Sequence, residues 1–465
     1  MCLGILVGAR IAFSLSLSSD VTWLYVAVCL VLISLRASNL VIVVCMFSAG
    51  ALFGLYRGAD TRINFSEYDD LFGSSVVLAG TVKDDPSYDI DGDLRLRVTN
   101  IEINERSYSG DVWVVTQDKI NLRRSDQITV SGVISKGFGT IPAALYRSSI
   151  LAVIRQDFSD VGLDVRDAFS AKIRTAIQEP EATLATGFLL GQNNQLPEKL
   201  DNDLRMLGLT HIIVASGYNL TILVRFARRR FLRISRFTAL AVSGLLITGF
   251  VQMSGMSPSM TRASLIAGLS LLAWYFGRAF HPIVLLLFAA GVTVAVNPSY
   301  IQGDLGWALS FASFAGVILF APLLQAYFWG TKKLNFMQQV FIETVAAQIT
   351  AVPIVVFAFG QYSVLSVVAN MAVLPLIPLA MLLIFIAGLG GFIMPFAVYF
   401  WGFPAELVLR YITGVVGWMA SLPTASYEVS ITATQLITWY VTLVVAGLYM
   451  WRRTQYAFRE YNIIE

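Results

Sequence analysis

From residue 209 onward the chain is a succession of apolar runs about as long as a bilayer is thick, and that feature excludes most folds. About nine such runs can be marked: 209–224, 237–253, 260–276, 283–296, 305–324, 336–359, 364–386, 392–420 and 433–450. Water cannot satisfy backbone amides in hydrocarbon, so each run is expected to be a helix. Composition agrees: of 465 residues, 56% are hydrophobic and 14% charged, where soluble chains carry about a quarter. The spacing predicts a polytopic α-helical membrane protein.

Positive charge orders the runs. Under this count the basic stretch Arg225, Arg228, Arg229, Arg230, Arg233 and Arg236 falls on the same side as Arg278, Lys332–Lys333 and Arg452–Arg453. The links near Ser254, Pro298, Gly360 and Leu422 carry no Lys or Arg. The basic side is therefore expected to be cytoplasmic. Arg410, with Pro395 and Pro404, interrupts run 392–420 and marks it as interfacial or broken.

Residues 1–57 hold three more apolar stretches, 3–17, 21–35 and 40–56. The first is short and contains Arg10, as a signal peptide would. Two further apolar runs follow at once, with no small-residue cleavage site before a soluble domain, so three membrane helices are expected. The total is then roughly twelve transmembrane helices.

The pattern changes over 72–155. Ser75–Val82, Leu94–Ile103, 111–116 and 127–134 alternate apolar and polar residues between Asp/Gly/Asn turns. Short strands at such spacing predict a small antiparallel barrel, and an OB-like five-stranded barrel fits the length. It is expected outside the cytoplasm. Its basic residues are matched by acids, Asp84, Asp85, Asp89, Asp91 and Asp93 forming a cluster. Docking and single-strand binding both stay open.

In 164–204, residues 164–177 place Val165, Ala168, Phe169, Ile173 and Ile177 on one helical face, suited to a membrane surface or a linker. The apolar 184–190 is too short to span and is expected to be re-entrant or packed on the bundle. The remaining divisions are a transmembrane domain at 205–453 and a cytoplasmic tail at 454–465.

Polar residues at membrane depth single out candidate sites. Residues 208–224 carry His211, Ser216, Gly217, Asn219 and Thr221. A Ser216–His211 hydrolase pair is disfavoured: on one regular helix five positions turn by about 500°, leaving roughly 140° between the side chains. Helix capping and pore lining both remain for His211. Arg262, near the start of its run, needs a partner or a wet cavity: it either meets a phosphate or anchors a helix end. Gln252 and Gln348 read best as cross-helix hydrogen bonders. Asn370 heads a stretch with Pro375 and Pro378, where broken backbone at membrane depth would line a cavity. His281, before Pro282, reads as interfacial.

Some chemistry is excluded. The only two histidines are far apart, and Cys2, Cys29 and Cys45 all lie in the N-terminal region. No His-rich binuclear metal centre, cofactor site or P-loop is expected.

These residues resemble a known family. Leu189-Leu190-Gly191 is similar to the LLG element of the ComEC competence-protein family, and Gly208-Leu-Thr-His211 followed by Ala215-Ser-Gly217 to its GLxH…SG signature. Arg262-Ala263 resembles its RA pair. Asn297-Pro298 and Gly306-Trp-Ala-Leu-Ser310 resemble NP…GFQLS; Pro353, Ala369-Asn370 and Pro375 resemble P…AN…P. The resemblance implies a channel that passes single-stranded DNA across the cytoplasmic membrane in natural transformation, without covalent catalysis. Candidate path residues are His211, Ser216, Asn219, Arg262, Asn370 and Pro375. The implied partners are the lipid bilayer, a periplasmic or surface DNA-binding receptor, and a cytoplasmic motor or single-strand-binding protein. Asn219 stands where the family often has His, and Ala308 where it often has Gln. Many members also carry a C-terminal metallo-β-lactamase-like domain. This sequence ends at Glu465 after its last apolar run, so any nuclease is expected on a separate protein. A solute transporter or flippase, or an envelope scaffold docking through the barrel, are the competing classes.

Overall fold

The computed structural model describes the chain apart from residues 16–18, 35–37, 89–91, 119, 156–160, 193–195, 214–216, 255–257, 279–280, 331, 424 and 457–465. The expected path residue Ser216, Asp89 and Asp91 of the acidic cluster, and most of the expected tail thus lie outside the described residues. The chain divides into two units: Met1–Val161 with Leu287–Trp307, and Gly162–Leu286 with Ala308–Glu465. Among the described residues, six helical stretches are long and apolar enough to cross a membrane: Asn39–Leu71, Arg236–Ser254, Leu305–Trp329, Phe336–Phe359, Ser366–Ile393 and Ala433–Thr454. Shorter apolar helices occupy Cys2–Ser14, Thr22–Ser34, Glu181–Leu190 and Pro282–Val296.

In the first unit, α1 (Cys2–Ser14), α2 (Thr22–Ser34) and α3 (Asn39–Ser66) precede the barrel. α1 and α3 meet through small residues four apart. Gly4 and Gly8 face the carbonyls of Phe47 and Ala51, while Gly50 and Gly54 face those of Met1 and Ile5. Lipid tails are as apolar as leucine, so close backbone approach, rather than expulsion from water, holds such helices together. At the far end of α3, Arg57 donates from Nε to the Ala295 carbonyl at 3.2 Å and from a terminal nitrogen to the Val296 carbonyl at 3.2 Å. Those carbonyls end the helix that finishes at Val296, whose last four lack helical partners.

The barrel has five strands: β1 (Ser75–Val82), β2 (Leu94–Ile103), β3 (Val112–Thr116), β4 (Gln127–Lys136) and β5 (Ala143–Ile154). β1 pairs antiparallel with β2 and β4; β2 pairs antiparallel with β3; β3 pairs parallel with β5, and β5 antiparallel with β4. The ring is closed, which removes the exposed edges that invite wrong pairing. Alternate residues turn inward: Leu94, Leu96 and Val98 on β2, Val112 and Val114 on β3, Ile128 and Val130 on β4. The alternation on β2 slips one place at Asn100, which has φ +54°, so Ile101 and Ile103 also point inward. Asparagine tolerates that left-handed backbone better than most residues. Outside the core, Asp111 accepts from Lys83 Nζ at 2.7 Å and from Arg97 Nε at 2.7 Å.

The second unit is built around α5 (Glu181–Leu190), all ten residues of which are buried. A helix apolar on every side needs neighbours on every side, and α5 shares one core with residues of α17 (Ile377–Ile393) and α18 (Val398–Ala420), among them Ala380, Ile384, Leu409 and Ile412. This places 184–190 inside the bundle. α4 (Val161–Ala176) precedes it. Its Phe169 ring stacks between Phe385 and Phe392, at 5.9 and 6.1 Å, over Gly388. The buried face is Leu163, Arg166, Ser170, Ile173 and Ala176, and Val165 is exposed. The face expected from apolar residues alone is therefore rotated, because Ser170 donates to Gln192 at 2.8 Å and the Gln192 amide donates to Asp167. Arg410 is accommodated by Glu406 at 2.5 Å on its own helix and Gln178 at 3.3 Å. The long helices α15 (Phe336–Phe359) and α19 (Ala433–Thr454) both begin with a capping box, Asn335/Gln338 and Thr432/Gln435.

The glycine contacts carry a prediction. Gly54→Ala presses a methyl into the Ile5 carbonyl and should destabilise by about 1–3 kcal/mol, whereas Gly244→Ala, with nothing within 4 Å, should be neutral or stabilising. Thermal unfolding of the purified chain in detergent compares them; equal melting temperatures would refute the close-approach account.

Candidate functional site

Within the stretch expected as one span at 209–224, the described helical residues are α7 (Thr210–Ile213) and α8 (Gly217–Phe231), and 214–216 lie outside the described residues. Upstream, α6 (Glu198–Met206) ends and the chain turns at Gly208, with φ +67°. That conformation suits glycine, and space demands it too: an added Cβ would lie 2.9 Å from Ser366 Oγ. His211 Nδ1 donates to the Gly208 carbonyl at 3.0 Å and the ring is otherwise exposed. In this structure it caps its own turn.

Ser366 is the centre of the site. It opens α16 (Ser366–Val373) and is buried. Its Oγ accepts from Gln348 Nε2 of α15 at 2.7 Å. Asn370, one turn on and 2% exposed, donates from Nδ2 to the Ser366 carbonyl at 2.8 Å and to Ser366 Oγ at 3.4 Å. The Asn370 Oδ1 is buried with no hydrogen-bond partner among the described residues. A buried acceptor left empty costs roughly 1–3 kcal/mol. The structure thus joins Gly208, Gln348, Ser366 and Asn370 into one polar hub inside an apolar core that includes Leu207, Leu209, Ala369 and Val373.

Pro375 lies just beyond, in the 3-10 turn Leu374–Leu376 between α16 and α17. The prolines change the helical repeat there without cutting the chain of bonds: the Leu374 amide reaches the Asn370 carbonyl and the Ile377 amide the Leu374 carbonyl. A second irregularity is the π-helical stretch Gly316–Phe320, where Gly316 faces the Ala346 carbonyl. Such stretches often sit at functional positions.

Asn219, 1% exposed, has a different duty. Its Nδ2 donates to the Phe188 carbonyl at 3.1 Å, one of the last four carbonyls of α5, which have no helical donor. Gly191, at φ +75°, closes that end further by donating its amide to the Gly187 carbonyl. The Leu-Leu-Gly element is therefore a helix terminus. Arg262 lies on α10 (Pro258–Tyr275), apart from the hub. It is 9% exposed, with its guanidinium carbon 4.9 Å from the Phe314 ring centre and 5.7 Å from that of Phe311. Ser366 went unmarked in the sequence. Its signal was the Ser366–Asn370 spacing, two polar residues four apart on one face of an otherwise apolar helix.

A mostly helical chain with six helices long and apolar enough to cross a membrane, a closed N-terminal barrel and a polar hub buried among its helices is of the membrane-protein class. A family model for competence proteins matches residues 188–454, more than half of the chain, and the hub, the α5 terminus and Arg262 all fall within it. The chain belongs to the competence protein family. It is 28% identical over 207 residues to ComE operon protein 3 of Bacillus subtilis (strain 168), a match covering 42% of this chain and 25% of that protein. No solved structure gives a significant match.

The hub predicts that Gly208→Ala costs about 1–2 kcal/mol through its left-handed backbone, beyond the clash with Ser366. Ser366→Ala should recover part of the loss by removing the clashing oxygen. Melting temperatures of the two single variants and the double variant decide; a fully additive double variant would separate Gly208 from the hub.

Proposed function

We propose that this chain is the membrane channel through which single-stranded DNA enters the cytoplasm in natural transformation, and that it catalyses no covalent step. The observation that carries the reading is the buried Gln348–Ser366–Asn370 hub, with a vacant acceptor, lying in the competence-family half. Polar groups at that depth are expensive and usually mark a transport path. The departures from α-helix at 316–320 and 374–376 support it, because broken helices at membrane depth accompany moving or conducting segments.

The orientation belongs to the same proposal: roughly twelve spans, a cytoplasmic basic side and an OB-like barrel outside. The barrel's closed five-strand order, with β3 and β5 parallel and β5 returning beside β4, fits a Greek-key OB barrel. Two contacts support the sidedness. The links after Gly360 and Leu422, both free of Lys and Arg, pair through Gln361–Tyr362 and Tyr427–Glu428, as same-side links can. The link after Pro298 adjoins the barrel: a Cβ added at Gly303 would lie 3.9 Å from Gly139 Cα. Energy and DNA capture would come from partners: a motor or single-strand-binding protein inside and a receptor outside. The pairing of Lys83 and Arg97 with Asp111 favours a docking role for the barrel as a second reading, since those cations are already engaged.

Removing the gene product should abolish arrival of labelled DNA in the cytosol while leaving surface capture intact. Unchanged cytosolic DNA would defeat the channel reading. Thiol-labelling of introduced cysteines should find position 99 accessible from outside intact cells and position 330 protected; the reverse pattern would overturn the orientation.

A further inference from the structure

Pro353 lies inside α15, one turn beyond the hub residue Gln348. Proline has no amide hydrogen, so the carbonyl four residues earlier, that of Ile349, loses its helical donor. In hydrocarbon such a carbonyl has no water to turn to. The donor comes from α19: Trp439 Nε1 donates to the Ile349 carbonyl at 3.0 Å. The next residue of α19, Tyr440, donates its hydroxyl to the next carbonyl of α15, that of Thr350, at 2.6 Å. Two neighbouring aromatic side chains thus meet two neighbouring carbonyls at the turn the proline opens. Each brings one donor on an apolar body, which suits that depth.

The same turn is loosened from within and held from two further sides. Thr350 Oγ1 donates back to the Ala347 carbonyl at 2.9 Å and to the Ala346 carbonyl at 3.2 Å, and hydroxyls bonded in that way weaken and bend helices. Gly316 of the π-helical stretch faces the Ala346 carbonyl. Gln348, between these contacts, donates to Ser366 Oγ at 2.7 Å. Residues 346–353 are therefore a weakened helical turn on which the π-helical stretch, α16 and α19 converge, and one of the contacts is the hub's own. Helices bend at proline, and a bend here moves Gln348 relative to Ser366. By engaging the opened carbonyls, the indole and the phenol fix the turn in its present conformation.

We propose that α15 carries a hinge at Pro353 and that α19 is its latch, with Trp439 and Tyr440 as positioning residues that hold Gln348 on Ser366. Release of the latch frees the turn to bend and takes Gln348 off the hub. The proposal deepens the channel reading and rests on it for the consequence in cells. The latch itself, an indole N–H standing in for a missing helical amide, is independent of what passes through the membrane.

The test is a double-variant cycle on the purified full chain in a neutral detergent, read as melting temperature. Trp439→Phe keeps an aromatic ring and removes the donor, so it should lower the melting temperature by a few degrees. Pro353→Ala gives the Ile349 carbonyl its helical amide back, so the same Trp439→Phe change should have no effect in that background. Equal losses in the two backgrounds overturn the latch, because the indole would then act only through packing. A second readout reports the hub directly. Ala369→Cys, on the buried face of α16, should react with a soluble maleimide about tenfold faster in Trp439→Phe than with Trp439 intact, the factor that one lost hydrogen bond gives to an opening equilibrium. Peptide mass separates that position from the native Cys2, Cys29 and Cys45, and an unchanged rate breaks the link between latch and hub. In cells, Pro353→Ala should lower cytosolic DNA arrival about tenfold, since bending must then break a helical bond of roughly that weight. Normal arrival in Pro353→Ala, with arrival abolished by deletion, would defeat the hinge while leaving the channel reading intact; arrival unchanged by deletion would defeat the channel reading and leave the thermal cycle standing.

Discussion

A polar group carried to the depth of hydrocarbon has no water to fall back on, and much of the second unit can be understood as the consequence. The buried helix α5 ends inside the bundle, where its last carbonyls would be orphans. Asn219 and the left-handed turn at Gly191 supply donors there. Arg410 is tolerated because Glu406 lies one turn away and Gln178 reaches it. Gln348, Ser366 and Asn370 satisfy one another through a single hydroxyl. Each case spends a side chain to close a hydrogen-bond account that water would close in a soluble protein. Against that background Asn370 Oδ1 and Arg262 Nε are two of several buried side-chain atoms with no hydrogen-bond partner among the described residues.

The second constraint is how the helices hold together when apolar burial gives little preference between protein and lipid. Backbones must come close, and glycine allows it. The α1–α3 seam uses glycines from both helices, Gly402 of α18 lies against the Ala176 carbonyl, and Gly316 against that of Ala346. Two of these seams flank irregular or functional segments. The α18 seam secures α4 beside the α5 core, and the Gly316 seam holds α15, which carries Gln348, against the π-helical stretch.

Much of this was legible in the sequence because period and length are local properties. Alternation marked four of the five barrel strands; the fifth, Ala143–Ile154, was anticipated only by the length left for it. Apolar run length located most long helices, and the paired prolines located the 3-10 turn at Pro375. What the sequence hid were relations between distant segments. Nothing local says that Gly208 must be glycine because Ser366 presses on it, or that Asn219 serves the end of a helix thirty residues earlier in the chain. The buried face of α4 was misjudged for the same reason: the Ser170–Gln192 bond rotates it, and Gln192 lies in the link beyond the end of α5. His211, conspicuous as a polar residue in an apolar run, caps its own turn, while the quieter Ser366 anchors the hub.

The hub's sealed state bears directly on the channel reading. A membrane that holds an ion gradient cannot keep an aqueous conduit open, so a resting channel should be closed by apolar packing with polar groups held in reserve behind it. Gln348, Ser366 and Asn370 fit that requirement. They lie among Leu207, Leu209, Ala369 and Val373, and both side-chain donors converge on one oxygen. Cross-helix bonds of this kind contribute only about 0.6–2 kcal/mol each, so exchanging them for water or for a passing strand costs little once the packing parts. The segments beside the hub that depart from regular helix, at 207–209 and 374–376, are where backbone can turn without breaking a full helical ladder. In the channel reading, opening is therefore a local parting of α16 from the Gly208 turn, and the vacant Asn370 oxygen is the first group a wet path would reach.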